Sequence, residues 1–235
     1  MKLIILSITP YKEKDGIVTA ISENEVLSFS VRGILDPKSK NHFLNTFLIE
    51  VDADFQEGNY KHKVLKSAKL LDSPFSLSDS LDKLAVISLI QEATKNLLQE
   101  EEQHLIYPKL KHCLAALKNK ETNVFHVAIH YLFEILRLSG NKLELNGCVY
   151  CGSRKEIAGL SFAEGGFVCK SCIEGTFVSD IPLNQLLLFR KMCLSDDFNH
   201  QISELDNETG LLFLRKIAEF IYSAFGIKLK NMSLF

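Results

Sequence analysis

Two C-x-x-C pairs, Cys148/Cys151 and Cys169/Cys172, with 17 residues between them, constrain this chain more than any other feature. A C-x-x-C turn lets two sulfurs converge on one ion, and two such turns complete a tetrahedron of thiolates. Gly152, directly after the first pair, can take a backbone angle that a residue with a Cβ resists. Between the pairs, Leu160, Phe162, Phe167 and Val168 flank Glu164-Gly165-Gly166, the pattern of a hairpin turn between two short strands. Residues 146–176 therefore read as a zinc ribbon, with one structural zinc per chain held by the four cysteines. Two disulfides would instead need an oxidising compartment, which nothing else in the chain suggests. A redox dithiol uses one C-x-x-C and leaves the second unexplained. Four thiolates leave no open coordination position, so such a metal holds structure and catalyses nothing.

The remainder of the 235 residues has room for one large domain or two modest ones. Up to about Pro74 the pattern is short strands and turns: Lys2–Ile8, Ile17–Ile21, Val26–Arg32, Asn45–Val51 and Tyr60–Leu65. Five strands in that length fit a small closed barrel, of which the OB-fold is one. From Ser78 the apolar period becomes helical. Helices are expected from Leu81 to Leu98, from Pro108 to Leu117, over Val124–Leu138 with a stop near Gly140, from Pro182 to about Cys193, and over Glu208–Phe225, capped by Asn207 and ended by Gly226. The expected fold class is α+β: an N-terminal five-stranded OB-fold β-barrel over residues 1–77, then an α-helical domain over 78–235 with an inserted four-cysteine zinc ribbon. The apolar run Leu3–Ile8 is too short for a leader, lacks a cleavage site, and reads as a first strand. No stretch of about twenty apolar residues occurs, so a cytoplasmic location is expected.

The formal net charge of −2 gives no global attraction to polyanions, so nucleic-acid binding would have to come from local clusters of bases. Such bases lie in the barrel region: Lys12 and Lys14 in the first turn, Arg32, Lys38 and Lys40 at or in the long loop after the third strand, and Lys61 and Lys63 on one face of the last strand. His126 and His130 stand four apart on a helix, a separation that lets two imidazoles share a metal. They lack the glutamate of H-E-x-x-H, and packing or solvent exposure is the better account of them. Cys113 and Cys193 sit in apolar helical stripes and read as small buried hydrophobes. No G-x-S-x-G elbow, Walker loop or G-x-G-x-x-G is present, and no active site is proposed, so the chain reads as a non-enzyme.

Several short motifs recur in a fixed order. Pro10-Tyr11 with Glu13 and Asp15 comes first, then Arg32-Gly33 followed by Lys38-Ser39-Lys40. Leu136, Leu138 and Gly140 precede the cysteines, Ser161-Phe162 and Gly165-Gly166 lie between them, and Lys228-Leu229-Lys230 closes the set. In this order the chain resembles, over nearly its full length, the RecO family of bacterial DNA-repair and recombination mediator proteins. It departs at Asn231, where the family has serine, and at Asn141, where the family tends to have an aromatic residue.

The resemblance implies an OB-fold, a helical domain with a zinc module, binding of single- and double-stranded DNA, and annealing of complementary strands. It implies RecR and the single-stranded-DNA-binding protein as partners, through them the loading of RecA, and a nucleoid-associated bacterial location. DNA would lie on the barrel, through Arg32, Lys38 and Lys40 with Lys12 and Lys14 nearby, and Tyr11 is a candidate for base stacking. The acidic, apolar-ended tail of the single-stranded-DNA-binding protein would need an apolar groove flanked by cations, for which Arg137, Arg190, Lys191, Arg215 and Lys216 are candidates. Two other classes stay open. A zinc-containing RNA- or ribosome-binding OB protein would prefer structured RNA, and a protein–protein adaptor without nucleic-acid affinity would suit the negative net charge.

Overall fold

A continuous apolar run and then two stretches of alternating burial produce three antiparallel strands, β1 (Lys2–Tyr11), β2 (Asp15–Ile21) and β3 (Val26–Val31). The computed structural model describes residues 1–57, 63–77, 80–173, 175–195, 197–198 and 205–235. β1 pairs with β2 from Ile4↔Ile21 to Tyr11↔Asp15, and β2 with β3 from Gly16↔Val31 to Ile21↔Val26. β4 (Glu50–Glu57) returns antiparallel to β1, and β5 (Lys63–Asp72) lies antiparallel to β4 and parallel to β3 through Phe29↔Lys63. The result is a closed barrel in the order β1-β2-β3-β5-β4, the expected OB-like architecture.

Leu3, Ile5, Val18, Ala20, Leu27, Phe29, Val31, Val51 and Ala53 fill the barrel, joined by Ile34, Leu44 and Ile49 from the β3–β4 connection. Each large side chain removed from water here stabilises the fold by about 1.5–3 kcal/mol. The Phe55 ring meets Phe29 edge-on at 4.8 Å.

Two strands differ from the sequence expectation. The fourth begins at Glu50 and not at Asn45, because Leu48 has φ 58°, a left-handed angle that ends extended pairing. The Leu48 N–H instead donates to the Ile5 carbonyl at 2.6 Å. The last strand runs on to Asp72, and the expected start at residues 60–62 lies outside the described residues.

Helix α1 (Leu81–Leu97) is capped by Ser80, whose side chain accepts from the Lys83 N–H, and Gln91 Nε2 donates to the Leu6 carbonyl at 2.7 Å where β1 bulges. Helix α2 (Tyr107–Ala116) begins with proline in its first turn, as expected. Lys111 pairs with Glu50 at 2.8 Å and Lys118 with Asp72, two acids that face each other across β4 and β5. Both helices thus belong with the barrel in a compact unit, Met1–Lys118, while Asn119–Phe235 forms the second. The composition-based boundary after residue 77 marks the change of secondary structure within the first unit.

In the second unit, Asn123 accepts the Phe125 and His126 N–H groups and caps α3 (Val124–Leu138), and Gly140 follows with φ 79°. A 3-10 turn, Leu183–Gln185, leads into α4 (Leu186–Cys193). α5 (Asn207–Phe225) ends at Gly226 in the left-handed conformation, but its cap is Asp206 and not Asn207. Asp206 has the extended backbone that lets its carboxylate reach the Thr209 N–H at 2.7 Å, whereas Asn207 is already the first helical residue. α5 passes so close to α3 that a Cβ at Gly210 would lie 2.6 Å from Phe125 Cβ. The core holds Tyr131, Phe189 and Phe213, the latter two edge-to-face at 5.1 Å. His126 and His130 are buried in it, with the His130 ring against Phe198 at 4.4 Å. No helix among the described residues is long and apolar enough to cross a membrane.

Candidate metal centre and nucleic-acid interface

The cysteine module is built on a three-stranded sheet, β6 (Glu144–Cys148), β8 (Gly166–Cys169) and β7 (Ile157–Ser161) in that order. β7 and β8 form the expected hairpin, with Leu160↔Phe167 and Ser161↔Gly166. The turn glycine Gly166 is required by close approach, since a Cβ there would sit 2.2 Å from the Glu144 carbonyl oxygen. In the first cysteine turn the Gly152 N–H donates to the Cys148 carbonyl and the Cys148 N–H to the Ser153 carbonyl, each at 2.8 Å. Gly152 has φ 70°, and Gly147 leaves no room for a Cβ against the Gly152 carbonyl, 2.6 Å away. The second turn is a single 3-10 turn, Lys170–Cys172, fixed by the Lys170 N–H on the Glu156 carbonyl at 2.9 Å.

These turns bring the Sγ atoms of Cys148, Cys151, Cys169 and Cys172 within 4.8 Å of one another. Cys151 Sγ lies 3.6 Å from Cys169 Sγ, close to the spacing of about 3.8 Å between thiolates around a tetrahedral ion. Burial pushes the Cys148 thiol up, but N–H groups of Cys169, Cys151 and Tyr150 outweigh it and bring it down to about 6. Cys169 is lowered chiefly by the Ser171 hydroxyl, 3.1 Å from its sulfur. Cys172, facing Cys151 and Cys169, is pushed up to about 12. One thiolate suppresses the next, so a cluster that ionises fully needs a cation at its centre. The four cysteines can hold a metal ion. Among the described residues, His126 and His130 join no group of three or more potential ligands. Cys113 and Cys193 are buried, and burial alone pushes both thiols well up.

Five of the barrel bases gather on one joined surface. The loop after β3 is tied to the β1–β2 turn by the Gly33 N–H on Asp15 Oδ1 at 2.9 Å and the Leu35 N–H on the Lys14 carbonyl at 3.0 Å. Asn41 Nδ2 donates to the Arg32 carbonyl at 2.9 Å, and Ser39 Oγ accepts the Asn41 N–H at 3.1 Å. Lys12, Lys14, Arg32, Lys38 and Lys40 are all exposed on this joined surface. They are not equivalent. Lys14 pairs with Asp36 at 2.9 Å, which holds the Asp36 carboxyl below its ordinary range, and Lys12 lies over the exposed Tyr11 ring at 5.2 Å. Arg32, Lys38 and Lys40 make no ion pair among the described residues. Lys63 on β5 pairs with Glu25 at 3.4 Å, and Lys61 lies outside the described residues. The tie through Asp15 was not singled out by charge or period; its one signal was its place in the motif Tyr11-x-Glu13-x-Asp15.

The five cations considered for a partner groove fall apart in the same way. Arg137 donates to Glu134 at 2.9 Å, and Lys216 pairs with Glu219 at 3.0 Å. Arg190 is a structural pin, its guanidinium donating to the Leu145 carbonyl at 2.8 Å and Asn146 Oδ1 at 2.7 Å, which ties α4 to β6. Lys191 is exposed at the end of α4. Arg215 lines an open groove of about 430 Å³, with Ala218, Tyr222, Leu229 and Met232 as its apolar wall, Lys228 as a second cation, and Glu219, paired with Lys216, as an acid on the same wall. In the sequence Lys228 stands out only through the terminal motif Lys228-Leu229-Lys230.

Comparison with known proteins accounts for this combination of OB-like barrel, helices and cysteine module. A family model described as "Recombination protein O C terminal" matches residues 78–230, and the chain belongs to the RecO family. It is 24% identical over 230 residues to a DNA repair protein RecO of Mycoplasma capricolum subsp. capricolum, covering 95% of this chain and 89% of that protein. It is 25% identical over 227 residues to the protein of the same name in Mycoplasma mycoides subsp. mycoides SC, covering 94% and 88%. A shorter match, 27% over 155 residues, covers 64% of the chain and 61% of a DNA repair protein RecO of Thermoanaerobacter sp.. A role in DNA repair follows from the family.

Proposed function

We propose that the protein is a non-enzymatic recombination mediator that binds single-stranded DNA on its barrel, anneals complementary strands, and helps load RecA together with RecR in the bacterial cytoplasm. The observation that carries this reading is the end of the barrel, where Arg32, Lys38 and Lys40 stand exposed, and among the described residues without acidic partners, on a loop held by the β1–β2 turn. Cations fixed on a barrel end contact a sugar-phosphate backbone without reading sequence, and the exposed Tyr11 ring offers a face for stacking. Annealing asks no more than a surface that holds strands in this way. Duplex DNA is a second ligand of the same surface. Lys12 joins the core of this site, whereas Lys14 and Lys63, already paired with acids, contribute less, and Lys61 extends the set along the chain.

In this reading the ion at Cys148, Cys151, Cys169 and Cys172 is zinc, which when bound supplies the charge that lets four thiolates coexist and so fixes the module. The groove beside Arg215 and Lys228 suits the acidic, apolar-ended tail of the single-stranded-DNA-binding protein: a terminal ring enters between Tyr222 and Met232 while the carboxylates meet the two cations, the charge of the lining Glu219 being offset by its pair with Lys216. Arg137, Arg190, Lys191 and Lys216 are then supports or bystanders. The test of the DNA reading is the triple variant Arg32→Ala, Lys38→Ala, Lys40→Ala. It should lose most single-strand affinity in fluorescence anisotropy while keeping its fold, and unchanged affinity would move the site elsewhere. Stronger binding of structured RNA than of single-stranded DNA by the unmodified chain would favour the RNA reading.

A further inference from the structure

We propose that Cys151 and Cys169 form an oxidation-sensitive dithiol inside the metal centre, a modification site for hydroperoxides that releases the ion and joins the two cysteine turns by a disulfide. The metal half of this rests on the reading of the four cysteines as an ion site; the dithiol half does not. The cluster is asymmetric. Cys148 and Cys169 are 2% and 1% exposed, whereas Cys151 stands exposed at the outer corner of its turn. An oxidant arriving from solvent therefore meets the Cys151 sulfur first. Behind it, at 3.6 Å, lies Cys169 Sγ, which must approach by only about 1.6 Å to reach disulfide bonding distance. No side chain stands in the way next to Cys151, since even a Cβ at Gly152 would meet nothing within 4 Å.

The chemistry closes without a further reactant. The Cys151 thiolate attacks the peroxide, forming an S–O bond and breaking the O–O bond, and hydroxide leaves. Cys169 sulfur then attacks Cys151 Sγ, forming the S–S bond and breaking S–O, and a second hydroxide leaves. The two sulfurs are oxidised by two electrons together, and the peroxide, after taking up two protons, is reduced to two waters. Cys148 and Cys172 remain, and two thiolates do not complete a structural tetrahedral site, so the ion departs. With the ion gone β6, β7 and β8 loosen, while the new bond between Cys151 and Cys169 keeps the two cysteine turns tied together. Cys113 and Cys193, buried at 0% and 1% exposure, serve as internal controls that should not react.

The experiment treats the full, reduced, metal-loaded chain with a small excess of hydrogen peroxide. It follows the free ion with a metallochromic dye and maps cysteine linkages by mass spectrometry without reduction. The expected result is loss of one ion per chain, loss of two hydrogens in mass, and a peptide linking Cys151 to Cys169, all reversed by a dithiol reductant and added zinc. Cys113→Ser with Cys193→Ser should behave as the unmodified chain. Linkage mainly within the turns, as Cys148–Cys151 or Cys169–Cys172, would overturn the proposal, as would four free thiols after oxidant. If the purified chain carries no ion, the metal reading fails, yet the linkage map still decides the dithiol.

Discussion

At the scale of single residues, the functional surfaces depend on groups that carry no function themselves. Asp15 adds a negative charge to a region read as binding a polyanion, yet its carboxylate accepts the Gly33 N–H and so holds the loop of Arg32, Lys38 and Lys40. Gly33 has φ 69°, and a Cβ there would lie 2.8 Å from Ser39 Oγ, so the loop has one glycine-specific bend. Asp15→Ala, which removes no base and relieves a repulsion, should cost about 1 kcal/mol of stability in denaturant titrations. It should also lower DNA affinity; an increase would mean that the loop is not positioned through this carboxylate. Cys169→Ser should abolish stoichiometric metal, read by elemental analysis, and remove hydrogen-exchange protection from β6, β7 and β8, because metal-binding energy in such a module is folding energy. The four cysteines were legible because their spacing alone encodes convergence. The pairing state of Arg137, Arg190 and Lys216 was not, since each looks like a free surface cation until its partner is placed.

At the scale of elements, legibility followed how local each signal was. Both ends of α3 match the expectation because its cap Asn123 and the terminating Gly140 lie in the same short stretch as its apolar period. β4 slipped by five residues because the apolar run Asn45–Val51 looks extended, while the backbone turns left-handed at Leu48. The true strand alternates Val51 and Ala53 inward with Asp52 and Asp54 outward, and strand interiors seldom carry aspartate. At α5 two adjacent residues, Asp206 and Asn207, can each cap, and only the backbone angle decides between them. Asp206→Ala should therefore destabilise the second unit, and Asn207→Ala should have the smaller effect. The N–H of Thr209, then its hydroxyl and the Glu208 N–H, hold the Asp206 carboxyl below its ordinary 3.8. A lowered folded value means that this cap stabilises fully above the ordinary value and is lost as pH falls through the depressed one. The difference between Asp206→Ala and the parent chain should thus shrink when melting is followed below about pH 4.

At the scale of the whole molecule, the near balance of charge makes binding a matter of placement, and placement has a salt signature. With about four phosphate contacts on a single strand, affinity should fall roughly fifty-fold between about 50 and 200 mM salt, and the slope should flatten when Arg32, Lys38 and Lys40 are removed together. Chelation of the metal should lower the melting temperature and loosen β6 to β8 by hydrogen exchange, while Met1–Lys118 keeps its protection; equal loss in both units would contradict a local role for the ion. The five strands and their closure into a barrel were legible as a class, but the strand order was not, because the parallel contact of β3 with β5 joins residues far apart in sequence. That closure narrows the ways in which this unit could recruit another protein. Among the described residues every strand has a neighbour on both sides, but β3 meets β5 only through Phe29↔Lys63 and Ser30↔Val64, so an added strand would have to pair beyond that short seam. Along the paired strands recognition is left to side chains and loop tips, so in the proposed reading a partner protein and a nucleic-acid strand would compete for the same few residues.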